Sequence, residues 1–345
     1  MNIRARGGAS FLLTTALAAA GIATAGCGGS TGAPPLSAPP ASRSASAERA
    51  ATMHWLAATN HMWTRGDFAA LDQVTTGEAR AVYQAEQRQS ADTIALGRTP
   101  FQLTGLSITV PCSGGTGAGG GAPVFVAYGD TDVFTLGQSM RPQALVFQHA
   151  GGTWKLAAVV NGSSGTSQPR WPALCRAGAD PAAAAVLPPA DYRATLARVL
   201  DHASTGATET AQAAAPFAVN SFFTGPDSIN TQFATDSRHD RADGATLVQR
   251  FAPAAGPALA LPLAGGRGYW LIGVFAQTST YHSATGTRKA SWPDGSSIAS
   301  PRPAVVHQET DTFVTTYSAT DPLRSSGGRV VLDGFFGWPL TDSAR

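Results

Sequence analysis

Apolar residues recur along this chain in two rhythms, and each rhythm occurs twice. In the first helical run Trp55, Ala58 and Met62 share a face. Gly66-Asp67 interrupts it, and a second helical stretch over about 67–95 carries Leu71, Val74, Ala79 and Val82 as apolar positions. The rhythm then changes to strands at 103–110, 124–128, 144–149 and 154–160. Ala150-Gly151-Gly152 between the last two is a hairpin signal. Trp154, Leu156, Ala158 and Val160 are expected to line one face of the final strand. Pro181, a run of alanines and Pro188-Pro189 then predict a linker over 176–190. The helical rhythm restarts with Tyr192, Leu196, Val199 and Leu200 at i, i+4, i+7 and i+8. Residues 216–250 are mixed and support no assignment. Strand-like runs return at 269–277, 305–308, 312–317 and 330–336, with Pro253, Pro257 and Pro262 before them and Pro301 and Pro303 among them.

The pattern predicts an α+β protein with two lobes, residues 48–175 and 191–345. Each has helices followed by a curved antiparallel sheet. The 345 residues suffice for about two domains at roughly 100–200 residues each. Gly151-Gly152-Thr153-Trp154-Lys155-Leu156 has a loose counterpart in Gly327-Gly328-Arg329-Val330-Val331-Leu332, which points to a duplication.

Ahead of the first lobe the pattern is of another kind. Arg4 and Arg6 precede an uncharged, mostly apolar run from Ala9 to Gly26, and the small residues Ala25-Gly26 lead into Cys27. A basic start, an apolar run and a small-residue exit make a secretory signal over residues 1–26. The alternative, an uncleaved anchor, is the poorer fit. The run is rich in Ala and Gly and near the lower length limit for crossing about 30 Å of hydrocarbon. Gly28-Gly29-Ser30-Thr31-Gly32-Ala33-Pro34-Pro35, then Pro39-Pro40 and a Ser/Ala-rich stretch, make residues 27–47 an expected disordered tether. About 20 such residues would reach roughly 60 Å if extended.

Thr24-Ala25-Gly26-Cys27 resembles a bacterial lipobox, in which a small pair precedes a cysteine that receives diacylglycerol. The departure is Thr24, where Leu or a similar aliphatic residue is usual. The resemblance implies lipidation of Cys27 and a place on the outer face of the cell membrane. A second acyl chain matters there, because one chain alone binds only marginally. With Cys27 lipidated, Cys112 and Cys175 remain as an even pair in an oxidising compartment, and a disulfide between them is expected. It would close a loop of about 64 residues, worth about 4 kcal/mol in the chain-entropy model. Two buried thiols are the alternative. A metal site fits less well, since neither cysteine has a C-x-x-C partner or a histidine at ligand spacing.

The order of elements in 48–175, with the early Trp55 helix, the Gly66-Asp67-Phe68 step and the closing Gly152-Thr153-Trp154-Lys155-Leu156 strand, resembles the nuclear-transport-factor-two-like fold. That fold is a curved sheet wrapped around helices to make a cone. The whole chain also looks like a group of actinobacterial lipoproteins with signal, Pro/Ser tether and two such lobes. The resemblance implies location and shape and carries no activity.

Composition narrows the chemistry. Charged residues are only 13% of the chain and the formal net charge is +2, so there is no case for nucleic acid, which needs clustered Lys and Arg. Gly115-Thr116-Gly117-Ala118-Gly119-Gly120 matches G-x-G-x-x-G in form, but a strand-like run follows it where a dinucleotide site needs a helix. The one G-x-S-x-G match, Gly28-Gly29-Ser30-Thr31-Gly32, lies in the tether, and Gly162-Ser163-Ser164-Gly165 does not fit the pattern. No H-E-x-x-H, P-loop or EF-hand spacing occurs. His54 and His61 can share a helix face but have no carboxylate between them. Asp130 and Asp132 supply too few oxygens for Ca²⁺ and read as a turn. In Ser237-Arg238-His239-Asp240-Arg241 a general base is conceivable, with a solvated loop the simpler account. Trp270, Phe335, Phe336 and Trp338 suit a core, or the lining of a cavity for a small apolar ligand.

The expectation is therefore a membrane-tethered extracytoplasmic binding module with no catalytic, cofactor or metal residue assigned. Its partner would be a cell-envelope protein or a small apolar ligand. The alternative is a small-molecule binder or enzyme using a cone-shaped cavity in one lobe.

Overall fold

A computed structural model describes residues 42–90, 99–111, 122–133, 140–162, 171–174, 189–203, 245–254, 259–264, 268–283, 308–322 and 330–344. Helix α1 spans Ser42–Arg65. Its buried positions Thr52, Trp55, Thr59 and Met62 recur at helical spacing, with Leu56 and Trp63 widening the stripe. Residues 42–47, expected in the tether, are helical instead. After Pro40 nothing breaks the helix, and the burial of Glu48 and Thr52 anchors its early turns. Gly66 ends it at φ +71°, donating its N–H to the Met62 carbonyl at 2.7 Å.

The second helical stretch divides into α2, Ala69–Val74, and α3, Gly77–Ser90. Thr75 between them is extended (φ −125°, ψ 156°) and bridges Leu156, while the Thr76 N–H donates to the Leu156 carbonyl at 2.8 Å. The break thus ties the helices to the sheet. Gly77, at φ +55°, sits so close that a β-carbon would meet the Ala157 carbonyl oxygen at 3.3 Å.

Strands β1 (Leu103–Thr109), β2 (Val124–Thr131), β3 (Arg141–Ala150) and β4 (Thr153–Gly162) form an antiparallel meander. Gly151 and Gly152, both at positive φ, make the β3–β4 turn. Helix α4, Pro189–Ala203, begins inside the expected linker, with proline at its first position. It is followed by β5 (Ala245–Pro253), β6 (Leu259–Pro262), β7 (Gly268–Ser283), β8 (Gln308–Pro322) and β9 (Val331–Ala344). The protein is α+β. Its strands join one antiparallel sheet in the order β1-β2-β3-β4-β9-β8-β7-β5, with β6 beside β5 on β7. The seam between β4 and β9 has two rungs, Asn161 opposite Phe335 and Gly162 opposite Gly334.

Both faces of β2, β3 and β4 are buried. On one face Phe125, Ala127, Leu145, Phe147, Leu156 and Val159 pack against Trp55, Met62, Leu71, Val74 and Val82 of the helices. On the other, Val124, Val126, Ala144, Val146, Ala158 and Val160 pack against Leu174, Leu261, Leu263, Trp270 and Ile272. The sheet therefore curls, bringing β6 and the start of β7 over the outer face of β2–β4. Trp154, Leu156, Ala158 and Val160 do not share a face. Val146 pairs with Ala158 but Phe147 with Leu156, so Ala157 is an extra residue on β4 and the alternation reverses there.

Candidate functional site

The described polar side chains mostly serve the scaffold. Asn60 clasps the Phe101 backbone, donating to its carbonyl at 3.1 Å and accepting its N–H at 2.7 Å. Thr59 and the Tyr83 hydroxyl share a hydrogen bond of 3.2 Å between α1 and α3. Asp132 accepts the Gln102 N–H at 2.8 Å just past the end of β2, whereas Asp130, expected in a turn, lies within that strand opposite Thr104 and Pro142. His61 faces Asp67 at 3.3 Å across the end of α1, both about half exposed, while His54 is exposed. His149 meets Trp154 edge-on at 5.2 Å. Among the described residues no group of three or more His, Cys, Asp or Glu could hold a metal ion. No described helix is long and apolar enough to cross a membrane.

Helix α4 guards the β5 edge. Leu196, Val199 and Leu200 are buried, Asp201 accepts the Phe251 N–H at 2.9 Å, and Arg193 donates to the Ala254 carbonyl. Burial lowers the Arg193 pKa from its ordinary value; the carbonyl offsets part of that desolvation, while Nε is buried without a partner. An edge strand whose backbone groups are engaged in this way is a poor template for another chain.

Two aromatic groups organise the two faces. Phe125 stacks on Phe147 at 4.6 Å, with Trp55 and Trp154 edge-on to this pair at 6.3 and 4.9 Å. Opposite them, Tyr128 stacks on Trp171 at 5.4 Å, and Trp270 completes the triangle at 6.3 and 6.2 Å. The Tyr128 hydroxyl donates to the Pro172 carbonyl at 3.4 Å. Trp270 is fully buried, in the cluster that packs on the outer face of β2–β4. The side chains of Phe335, Phe336 and Trp338 lie outside the described residues, as do Cys27, Cys112, Cys175, the glycine-rich 115–120 and 28–32 segments and the 237–241 cluster.

Gln143 stands apart. It is fully buried on β3, on the helix-facing side with Leu145 and Phe147, and neither atom of its amide meets a hydrogen-bond partner. Asn161 is opposite it on β4, and the Asn161 Oδ1 is buried without a partner too. The rung continues across the seam to Phe335. Sequence reasoning passed over this pair. The parity of Gln143 with Leu145 and Phe147 was a usable signal. That of Asn161 was misleading, because the Ala157 bulge changes its face.

No family model matches the chain, and a search of curated proteins finds no match.

Proposed function

We propose that this chain is exported and held on the outer face of the cell membrane by lipid on Cys27. There its folded part acts as a non-catalytic module that binds a cell-envelope protein or a small apolar ligand. The observation that carries the reading is the leader: Arg4 and Arg6, an uncharged apolar run, and Ala25-Gly26 before Cys27. The remaining Pro/Ser/Gly segment before α1 provides reach between a bilayer and the fold. What supports a non-catalytic role is that Asp132 and Asp201 are spent on backbone N–H groups, Asp67 and Asp72 pair with His61 and Arg80, and His149 packs on Trp154.

We read residues 48–175 and 191–345 as two lobes similar to the cone-shaped nuclear-transport-factor-two-like fold. Support comes from the repeated order, α1–α3 before β1–β4 and α4 before β5–β9, and from the two-rung seam. The location is tested by mass spectrometry of the mature N-terminus and by fractionation. An acylated Cys27 in the membrane fraction is expected, with Cys27→Ser shifting the protein to the soluble fraction. A cytosolic protein with its leader intact would overturn the proposal.

A further inference from the structure

We propose that Gln143 and Asn161 form an internal binding site for a neutral group that donates two hydrogen bonds and accepts one: water, or the carboxamide end of a small molecule. The site is independent of the membrane role proposed above, and either can fail without the other. Burying a primary amide without partners leaves the full desolvation penalty of each orphaned group uncompensated, and Gln143 buries two. Asn161 adds a third orphaned atom on the directly opposed position, where cross-strand β-carbons lie about 4.5–5.5 Å apart. Two oxygens call for donors and the Gln143 Nε2 calls for an acceptor. One neutral group between the side chains meets all three demands. A bare ion does not, because neither side chain carries a charge to balance it and the burial penalty of an unpaired charge is far larger.

Position adds meaning to the chemistry. Across β3 the Gln143 position faces Gly129, which has no side-chain amide or hydroxyl to offer. Across β4 the same rung is one of the two that join the halves of the sheet. A group bridging Gln143 and Asn161 therefore braces the seam.

The test uses the mature chain. Gln143→Met keeps the volume and deletes the hydrogen-bonding groups, and Asn161→Leu does the same across the rung. With an occupied site each variant melts several degrees lower, and the double variant melts no lower than the worse single one, because both lose the same bridge. A melting temperature that is unchanged or raised in Gln143→Met overturns the proposal, since a dry, unused amide would be replaced with gain. If the variants do not fold, a high-resolution crystal structure of the wild type decides. Density within hydrogen-bond distance of Gln143 Nε2 and Asn161 Oδ1 supports the site, and a dry contact refutes it. The size of that density, with the native mass of the protein, separates water from a retained small molecule.

Discussion

Replacing Trp270 by alanine tests whether the outer face of β2–β4 is a packed core or the wall of a cavity. Trp270 is fully buried and touches the Tyr128 and Trp171 rings. A buried indole removes about 200 Å² from water, which at about 25 cal/mol per Å² is about 5 kcal/mol. Large-to-small core changes of this kind cost about 3–5 kcal/mol, so about 4 kcal/mol is expected, with Trp270→Phe losing the smaller share. Because Trp270 belongs to β7 and Tyr128 to β2, the loss should appear in one transition affecting both halves of the sheet. Urea denaturation followed by far-ultraviolet circular dichroism reads it without relying on indole fluorescence. Trp171→Ala, at a half-buried position, should cost less. The Trp171–Trp270 coupling in a double-mutant cycle should fall at about 0.5–1.5 kcal/mol. A loss below about 1 kcal/mol for Trp270→Ala would refute core packing and favour an open, ligand-accepting face.

Other expectations follow from single contacts. Asp201→Ala should cost about 1.5–3 kcal/mol, the range for a hydrogen bond to a charged group, and should increase concentration-dependent association as the β5 edge is uncovered; denaturation and light scattering check both. Gly152→Val places a branched side chain at φ +83° and should cost at least about 1–2 kcal/mol by thermal denaturation, where the same change at an exposed position of ordinary φ would not. Deleting Ala157 makes the β3–β4 pairing regular and leaves Leu156 and Val159 on the helix-facing side, so cooperative unfolding should be retained; its loss would show that the bulge itself is required for the fold. Asp67→Asn should change stability by less than about 1 kcal/mol, since its pair with His61 is half exposed. For the cysteines, non-reducing mass mapping should find a Cys112–Cys175 peptide pair, and two free thiols would reject that bridge.

The four strands of the first half and parts of β7, β8 and β9 were legible because alternation and turn chemistry are local. Gly151-Gly152 fixes the β3–β4 turn, and the apolar runs around Phe125, Phe147 and Trp270 are strands in the fold. What failed was decided by partners distant in sequence. Nothing near Thr75 says that it leaves the helix to pair with Leu156, and nothing near Ala157 says that it bulges. The β5 strand escaped notice because its exposed face alternates Thr246, Val248 and Arg250 with a buried Gln249, a polar residue where an apolar one marks a strand. Gln249 is accommodated there because it donates to Ser279 of β7 at 3.4 Å. The short β6 lay between prolines that read as punctuation. Those prolines do end strands, yet Leu259 and Leu261 between them are core.

The candidate site was less legible than the fold for a related reason. Motif reasoning seeks groups whose chemistry announces itself, such as a histidine beside an aspartate or glycines around a phosphate. Of the described histidines and acids, Asp132 and Asp201 hold backbone N–H groups, His61 pairs with Asp67 and His149 packs on Trp154. The pair that carries an unresolved demand, Gln143 and Asn161, consists of residue types that form no catalytic signature, and their importance comes from burial and register. A glutamine in an exposed strand loses nothing by lacking a partner, because water supplies one. The same glutamine one rung from the β4–β9 seam, with no surface exposed, must be matched by something else inside the fold or weaken the join it sits beside. Function in this fold is therefore better sought where burial conflicts with polarity than where a motif is complete.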